Sequence, residues 1–308
     1  MTSTLVSPPQ QTRRPWVTIA AIAFTVLSWA SAFVVIRWVG DIFEPGPLAL
    51  GRLVVGSAVL GAFLLARQRW VPPNRREWLL VVICGVVWFA LYNIALNAAE
   101  QRVDAGTTAM LVNIGPLLIA VFAGLLLGEG FPRWLVIGAA VSFAGVLLIG
   151  ASTAQSGEAD LAGVLLCLVA AMSYAIGVLS QKPILRRLPA LQVTWLACTI
   201  GAVACLPYGS GLADDVRAAS SGAISGLLYL GIVPTALAFS TWAYALARTS
   251  AGSLGISTYL VPPLTIVMAW VLLGEVPVLL ALAGGVVCLG GVALSRRRDR
   301  SLVVEPGH

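Results

Sequence analysis

Charged residues are scarce: Asp, Glu, Lys and Arg make up only 10% of the 308 residues, where a soluble domain carries about a quarter. So little charge leaves too little polar surface to cover a water-facing globule. Lysine occurs once, at Lys182, and histidine once, at the tail residue His308. Ligands carrying phosphate need cationic groups around them, so nucleotide sugars and sugar phosphates are disfavoured. No Walker-type glycine loop occurs, and neither does HExxH, GxSxG or a pair of buried carboxylates. ATP hydrolysis and intramembrane enzyme chemistry therefore lack their residues, and no cofactor or metal is expected. The five cysteines (Cys84, Cys167, Cys198, Cys205, Cys288) sit in apolar stretches at unrelated spacings, which suits small buried hydrophobes better than disulfides or metal ligands. The formal charge of +6 comes from short basic clusters between apolar runs. With no solvated domain to carry a binding face, nucleic acid is excluded as a partner.

What the chain has in quantity is apolar length. Hydrophobic residues make up 59% of it, with 31 glycines that let helices approach closely. Only helices or closed barrels satisfy their backbone hydrogen bonds in lipid. The apolar runs are continuous rather than alternating, and close to the ~20 residues that a spanning helix needs. The fold class is therefore all-α integral membrane, with lipid as its solvent. Ten transmembrane helices are expected near 16–38, 45–66, 78–99, 104–127, 132–150, 160–181, 189–207, 221–246, 250–273 and 276–295. The longest hydrophilic connection runs from about 210 to 221. The first run is too long for a cleaved signal and has nine similar successors.

Arginine and lysine set the orientation. With the N-terminus cytoplasmic, fifteen basic residues fall on the inner side and three (Arg37, Arg102, Arg217) on the outer, with Arg52 inside a helix. Both termini are then cytoplasmic. Trp16, Trp38, Trp70, Trp78 and Trp134 lie at span ends, where indoles anchor at headgroups. Trp29, Trp88, Trp195, Trp242 and Trp270 lie within spans and need another account.

The two halves resemble each other. At an offset of 146 positions Gly128-Glu129 matches Gly274-Glu275, Ala105-Gly106 matches Ala251-Gly252, Arg102 matches Arg248 and Pro116 matches Pro262. Near offset 145, Ser28-Trp29-Ala30 to Arg37 matches Ser173-Tyr174-Ala175 to Lys182. This divides the chain into a tail (1–15), a first five-helix repeat (16–150), a second (151–295) and a C-terminal tail (296–308). An odd number of helices per repeat forces the second copy to insert upside down. Inverted repeats around a midplane site are a recurring transporter plan. Pro116 and Pro262-Pro263 fall mid-helix in symmetric spans and should kink them. They are candidate hinges, or static kinks that shape a cavity. The matched Gly-Glu pairs suggest tight turns with a local partner.

Ser-Trp-Ala-Ser-Ala-Phe at 28–33, Arg52 in helix two, and Gly-Glu closing helices four and nine resemble the drug/metabolite transporter superfamily, and within it the ten-helix EamA-type permeases. The resemblance covers about 16–295 and is closest to YddG-type exporters of aromatic and other amino acids. It implies a basket of ten helices, a central cavity lined by helices 1, 3, 4, 6, 8 and 9, and export toward the periplasm of the inner membrane. At Tyr174 the chain departs from the tryptophan usual at that repeat position.

Arg52 is the one charge clearly within a span, roughly 10 Å from the outer end of its helix. Burying it costs roughly 2.5–3.5 kcal/mol on insertion scales. It either captures a substrate carboxylate or clamps loop carbonyls or an acid such as Glu44 or Asp104. The other candidate substrate contacts are Trp29, Trp88, Tyr92, Asn93, Asn97, Asn113, Tyr174, Trp242, Tyr244, Thr258 and Tyr259. Unpaired amides are costly in lipid, so the three asparagines should face protein or water, and interhelical bonding explains them as well as substrate contact does. Aromatic walls with a few neutral polar groups suit a zwitterion bearing a hydrophobic side chain. With no Asp or Glu deep within a span, the expected mechanism is facilitated diffusion or exchange; a multidrug or other-metabolite permease, a proton-coupled exporter and a passive pore are the alternatives. The expected partners are a small-molecule substrate and membrane lipid. Gly222 and Gly226 leave open a monomer packed closely upon itself or a weak homodimer.

Overall fold

In a computed structural model, residues 15–67, 70–127, 133–156, 161–249 and 251–295 are described. Most of both tails and the Gly128-Glu129 pair lie outside them. The described chain is a bundle of ten helical spans. Spans 1 and 2 are Pro15–Val39 and Pro45–Arg67. Span 3 runs from Arg75–Ile83 through a π-helical stretch, Cys84–Leu91, into Tyr92–Glu100. Span 4 is two helices, Ala105–Val112 and Gly115–Leu127. Spans 5, 6 and 7 are Arg133–Ser156, Leu161–Ile184 and Ala190–Ala204. Span 8 joins Ser221–Leu230, the π-helical Gly231–Leu237 and Ala238–Arg248. Span 9 joins Ala251–Ser257, a 3-10 turn at Thr258–Leu260 and Val261–Leu273, and span 10 is Leu279–Leu294.

The starts of the helices follow local chemistry. Asn74 and Glu77 form a reciprocal capping box at span 3. Asp104 accepts from the Thr107 N–H to open span 4, and Ser220 accepts from the Ala223 N–H to open span 8. Gly274 ends span 9 in the left-handed region, at φ 71°, where glycine alone is free of Cβ strain. The expected loop after span 7 changes. The segment from 209 to 218 is not an open loop but a helix, Gly209–Ala218, that turns 54° away from span 7. It buries no residue and carries an Arg217–Asp214 pair on its surface.

Interruptions repeat with the sequence offset. The first halves of spans 4 and 9 start 146 positions apart, their second halves start and end 146 apart, and the π stretches of spans 3 and 8 end 146 positions apart. Pro116 and Pro262-Pro263 therefore do not kink continuous helices. They lie in the first turn of new ones, where a missing N–H costs little, after breaks at 113–114 and 258–260. Pro234 sits within the span 8 π stretch, which accommodates the carbonyl that proline leaves unbonded.

Contacts between spans 5 and 10 are reciprocal. Spans 5 and 10 pack through glycine: a Cβ on Gly138 would meet Gly291 O at 2.5 Å, and one on Gly145 would meet Gly284 O at 2.6 Å. Gly284 and Gly291 are the 146-offset counterparts of Gly138 and Gly145, so each half makes the contact its twin makes. This is the signature of a two-fold axis. Ser142 Oγ donates to the carbonyl of its own counterpart, Cys288, at 2.9 Å. The protein is thus two inverted five-helix repeats. Capping bonds repeat too: Arg37, closing span 1, donates to Glu100 O at 2.7 Å, and Lys182 donates to the matching Leu246 O and, at 2.6 Å, to Thr249 O.

Side-chain burial fits a lipid-facing bundle. Trp16, Trp38, Trp70 and Trp78 are exposed at span ends, as are many leucines and valines along the spans. Trp270 also faces outward, which accounts for it without a cavity role. The five cysteines are free and buried. A Cβ on Gly226 would press on Val39 and Trp38 of span 1, so that glycine is spent on packing within the chain.

Candidate functional site

Between the two halves lies a cavity with about 530 Å³ of open space, counted with its mouth. It draws lining from spans 1, 2, 3, 4, 6, 8 and 9, so span 2 joins the six expected helices. Its walls are aromatic. Trp29 and Tyr174, repeat counterparts on spans 1 and 6, meet edge to face at 6.4 Å. Trp88 on span 3 lies 5.6 Å from Tyr174 and 5.1 Å from Phe239 on span 8. Glycine makes this box geometrically feasible. A side chain on Gly177 would collide with the Trp88 indole, and one on Gly115 with the Tyr174 ring.

Arg52 is the charged group on this wall. It is only 3% exposed. Its Nε donates to Thr235 Oγ1 at 3.2 Å, and that hydroxyl uses its own hydrogen on Leu230 O at 2.8 Å. Arg52 NH1 has no hydrogen-bond partner. The acid clamp fails: Asp104 caps span 4, and Glu44 is met at its N–H by Asp215 across the surface. Guanidinium stays charged at any working pH. The cavity therefore holds a cation with an unused N–H and no ion-paired carboxylate among the described residues.

The breaks in spans 4 and 9 reach the same space. Asn113, at the end of the first half of span 4, lines the cavity and spends its Nδ2 on Ala109 O at 2.9 Å. Thr258, at the matching break in span 9, lines it as well and donates to Gly255 O at 2.8 Å. Discontinuous helices at a repeat interface are where transporters place binding groups.

Of the residues singled out from sequence, Trp29, Arg52, Trp88, Tyr92, Asn113, Tyr174 and Thr258 line the cavity. Trp242 stands behind the wall, tilted against Trp29 with ring centres 4.9 Å apart. Asn93 and Asn97 are buried away from it, bonded to Phe89 O and Pro45 O. Tyr244 lies under the Arg248 guanidinium, 3.5 Å from ring centre to Cζ, near the inner end of span 8. Tyr259 packs in the core around span 1 rather than on the lining. Sequence reasoning missed Phe33, Leu96 and Phe239. Phe239 lies three residues before Trp242 on one helix face, and that spacing would have found it. The partner of Glu275 was also misjudged: it is not local but Arg37 in the other repeat, Nε to Oε1 at 2.8 Å.

The profile of the EamA-like transporter family matches residues 16–151 and again 161–297. The chain belongs to the EamA-like transporter family. Two family units on one chain are what the reciprocal contacts of spans 5 and 10 require, and the protein is a multi-pass membrane transporter. It is 36% identical to a probable terminal-alkyne amino-acid exporter of Streptantibioticus cattleyicolor, across 90% of this chain and 93% of that one. Against an uncharacterized transporter, YdfC, of Bacillus subtilis the identity is 34%, with 87% of each chain covered. A probable amino-acid metabolite efflux pump of Salmonella typhimurium is 25% identical, over 88% of this chain and 91% of its own. A solved structure at 22% identity shares the fold, with a TM-score of 0.63 over 92% of this chain and 97% of its own.

Proposed function

We propose that this protein exports small amino acids with apolar or aromatic side chains across a bacterial inner membrane. Transport proceeds by alternating access, without ATP, as facilitated diffusion or exchange down the solute gradient. The observation that carries the reading is Arg52: a buried guanidinium on the cavity wall with an unused N–H and no acid to neutralise it. A substrate carboxylate supplies the missing charge and accepts that bond, and such charge-assisted pairs are among the stronger ones. Trp29, Trp88, Tyr92 and Tyr174 offer faces for an apolar side chain and for an ammonium, which aromatic rings attract. Asn113 and Thr258 complete the polar set. Two relatives named as amino-acid exporters or efflux pumps support the substrate class. A multidrug reading fares worse, because an unpaired cation in the cavity repels the lipophilic cations such carriers take.

The test is counterflow of labelled phenylalanine, tyrosine and methionine in proteoliposomes. Competitors that keep the side chain but lack the carboxylate, such as phenethylamine and tyramine, should be weaker by roughly ten- to hundredfold, the worth of one bond to a charged group. R52Q should remove that discrimination along with most of the flux. If the amines compete as well as the parent amino acids, Arg52 does not hold a carboxylate and the reading fails.

A further inference from the structure

The outer ends of spans 1, 3 and 9 meet in a charged cluster that does not line the cavity. Arg37 is committed twice, from Nε to Glu275 Oε1 at 2.8 Å and through NH1 to the backbone carbonyl of Glu100 at 2.7 Å. It thereby ties both repeats together at this face. Glu100, the last residue of span 3, is 0% exposed, and neither oxygen of its carboxyl group has a hydrogen-bond partner. The guanidinium grips its backbone, not its side chain. Glu275 Oε2 is likewise buried and unpartnered.

The titratable groups that face Glu100 are Arg37 on span 1, Asp104 at the cap of span 4, Glu275 after span 9, Cys167 on span 6 and Tyr92 on its own helix. The exposed Arg102 follows on the next turn. Asp104 is occupied in capping Thr107, and burial lifts its carboxyl above the usual range. Three carboxyl groups thus surround one guanidinium that is already paired. An ionised Glu100 here would be a buried anion with no donor and two acids for neighbours, and both desolvation and like charge favour the neutral acid.

We propose that Glu100 is a proton-binding site: it holds a proton while Arg37 ties the outer ends of the spans together, and releases it to the outer solution when that face opens. Opening wets the carboxyl, and once ionised it competes with Glu275 for Arg37. Closing then requires a proton from outside. One proton leaves on opening and one returns on closing, so no net proton crosses the membrane. The device adds outer-pH control to the exchange reading. Acid outside favours the tied state and slows exchange.

Two measurements decide it. Infrared difference spectra of the purified protein near neutral pH should show the C=O band of a protonated carboxyl that loses intensity in Glu100→Gln. No such band in the wild type, or a band that loses no intensity in E100Q, overturns the proposal. In right-side-out membrane vesicles, exchange should slow as outer pH falls, approaching tenfold per unit below the midpoint, and be far less sensitive to inner pH. E100Q, fixed in the neutral form, should exchange slowly at every outer pH. A wild-type pH profile in E100Q, or equal sensitivity to the two sides, sinks the idea. Should E100Q fail to fold, the wild-type band and the one-sided profile still decide. A chain that exchanges no amino acid refutes the transport reading instead and leaves the infrared result to judge Glu100.

Discussion

Gly177 and Gly115 do as much for the cavity as the aromatics they face. Each lets a ring lie where any side chain would collide, Trp88 over one and Tyr174 over the other. Filling such a site forces off-rotamer shifts costing about 1–3 kcal/mol. Gly177→Val should therefore lower the thermal midpoint in detergent and weaken competition by aromatic amino acids, while Gly290→Val, with no atom within 4 Å of its added Cβ, should do neither. Equal behaviour of the two variants would mean that the box is not built on that glycine. Arg52 belongs to the same scale. Its burial in lipid was plain from its place in an apolar run, but its partners were not. Whether Glu44 or Asp104 reached it depended on how spans 2, 4 and 8 cross, and the structure gives it Thr235 instead.

Spans 4 and 9 are each two helices rather than one, and prolines open their second halves. Proline in a first turn is neutral, because that N–H has no intrahelical partner. Replacing Pro116, Pro262 and Pro263 together by alanine lets continuous helix compete with the breaks. If these breaks are hinges, the triple variant should bind substrate about as before yet exchange it roughly tenfold more slowly. Unchanged exchange would assign the breaks to cavity shape alone. At the entry of span 4, Asp104→Ala should cost about 1 kcal/mol for the lost cap, read as a lower unfolding midpoint. The existence of the breaks was legible as matched prolines. Their form was not, because a break and a kink share one sequence signal and differ only in what surrounds the freed carbonyls.

At the scale of the whole molecule, the two repeats are held by an antiparallel glycine seam between spans 5 and 10 and by Arg37 at the outer face. A side chain on Gly145 would place its Cβ 2.5 Å from Cys288 N, and backbone cannot move aside as a side chain can. Gly145→Leu and its counterpart Gly291→Leu should therefore each lower the detergent thermal midpoint, by similar amounts because the seam is reciprocal. A large loss from one and none from the other would argue against the two-fold relation.

Helix count, orientation and inverted duplication were all determined by the chain itself. Lipid admits only structures that satisfy their own backbone, arginine bias reports sidedness, and a repeat of odd span number must invert. Which of the buried polar and aromatic residues face the cavity was decided only by the tertiary structure. Within a helix, a side facing the cavity and a side facing a neighbour carry the same residue types, so Trp29 and Trp242, or Asn113 and Asn97, cannot be told apart until the spans are assembled. Glu100 is the sharpest case. At the end of an apolar run it reads as an interfacial acid, and only the convergence of spans 1, 3, 4 and 9 removes it from water.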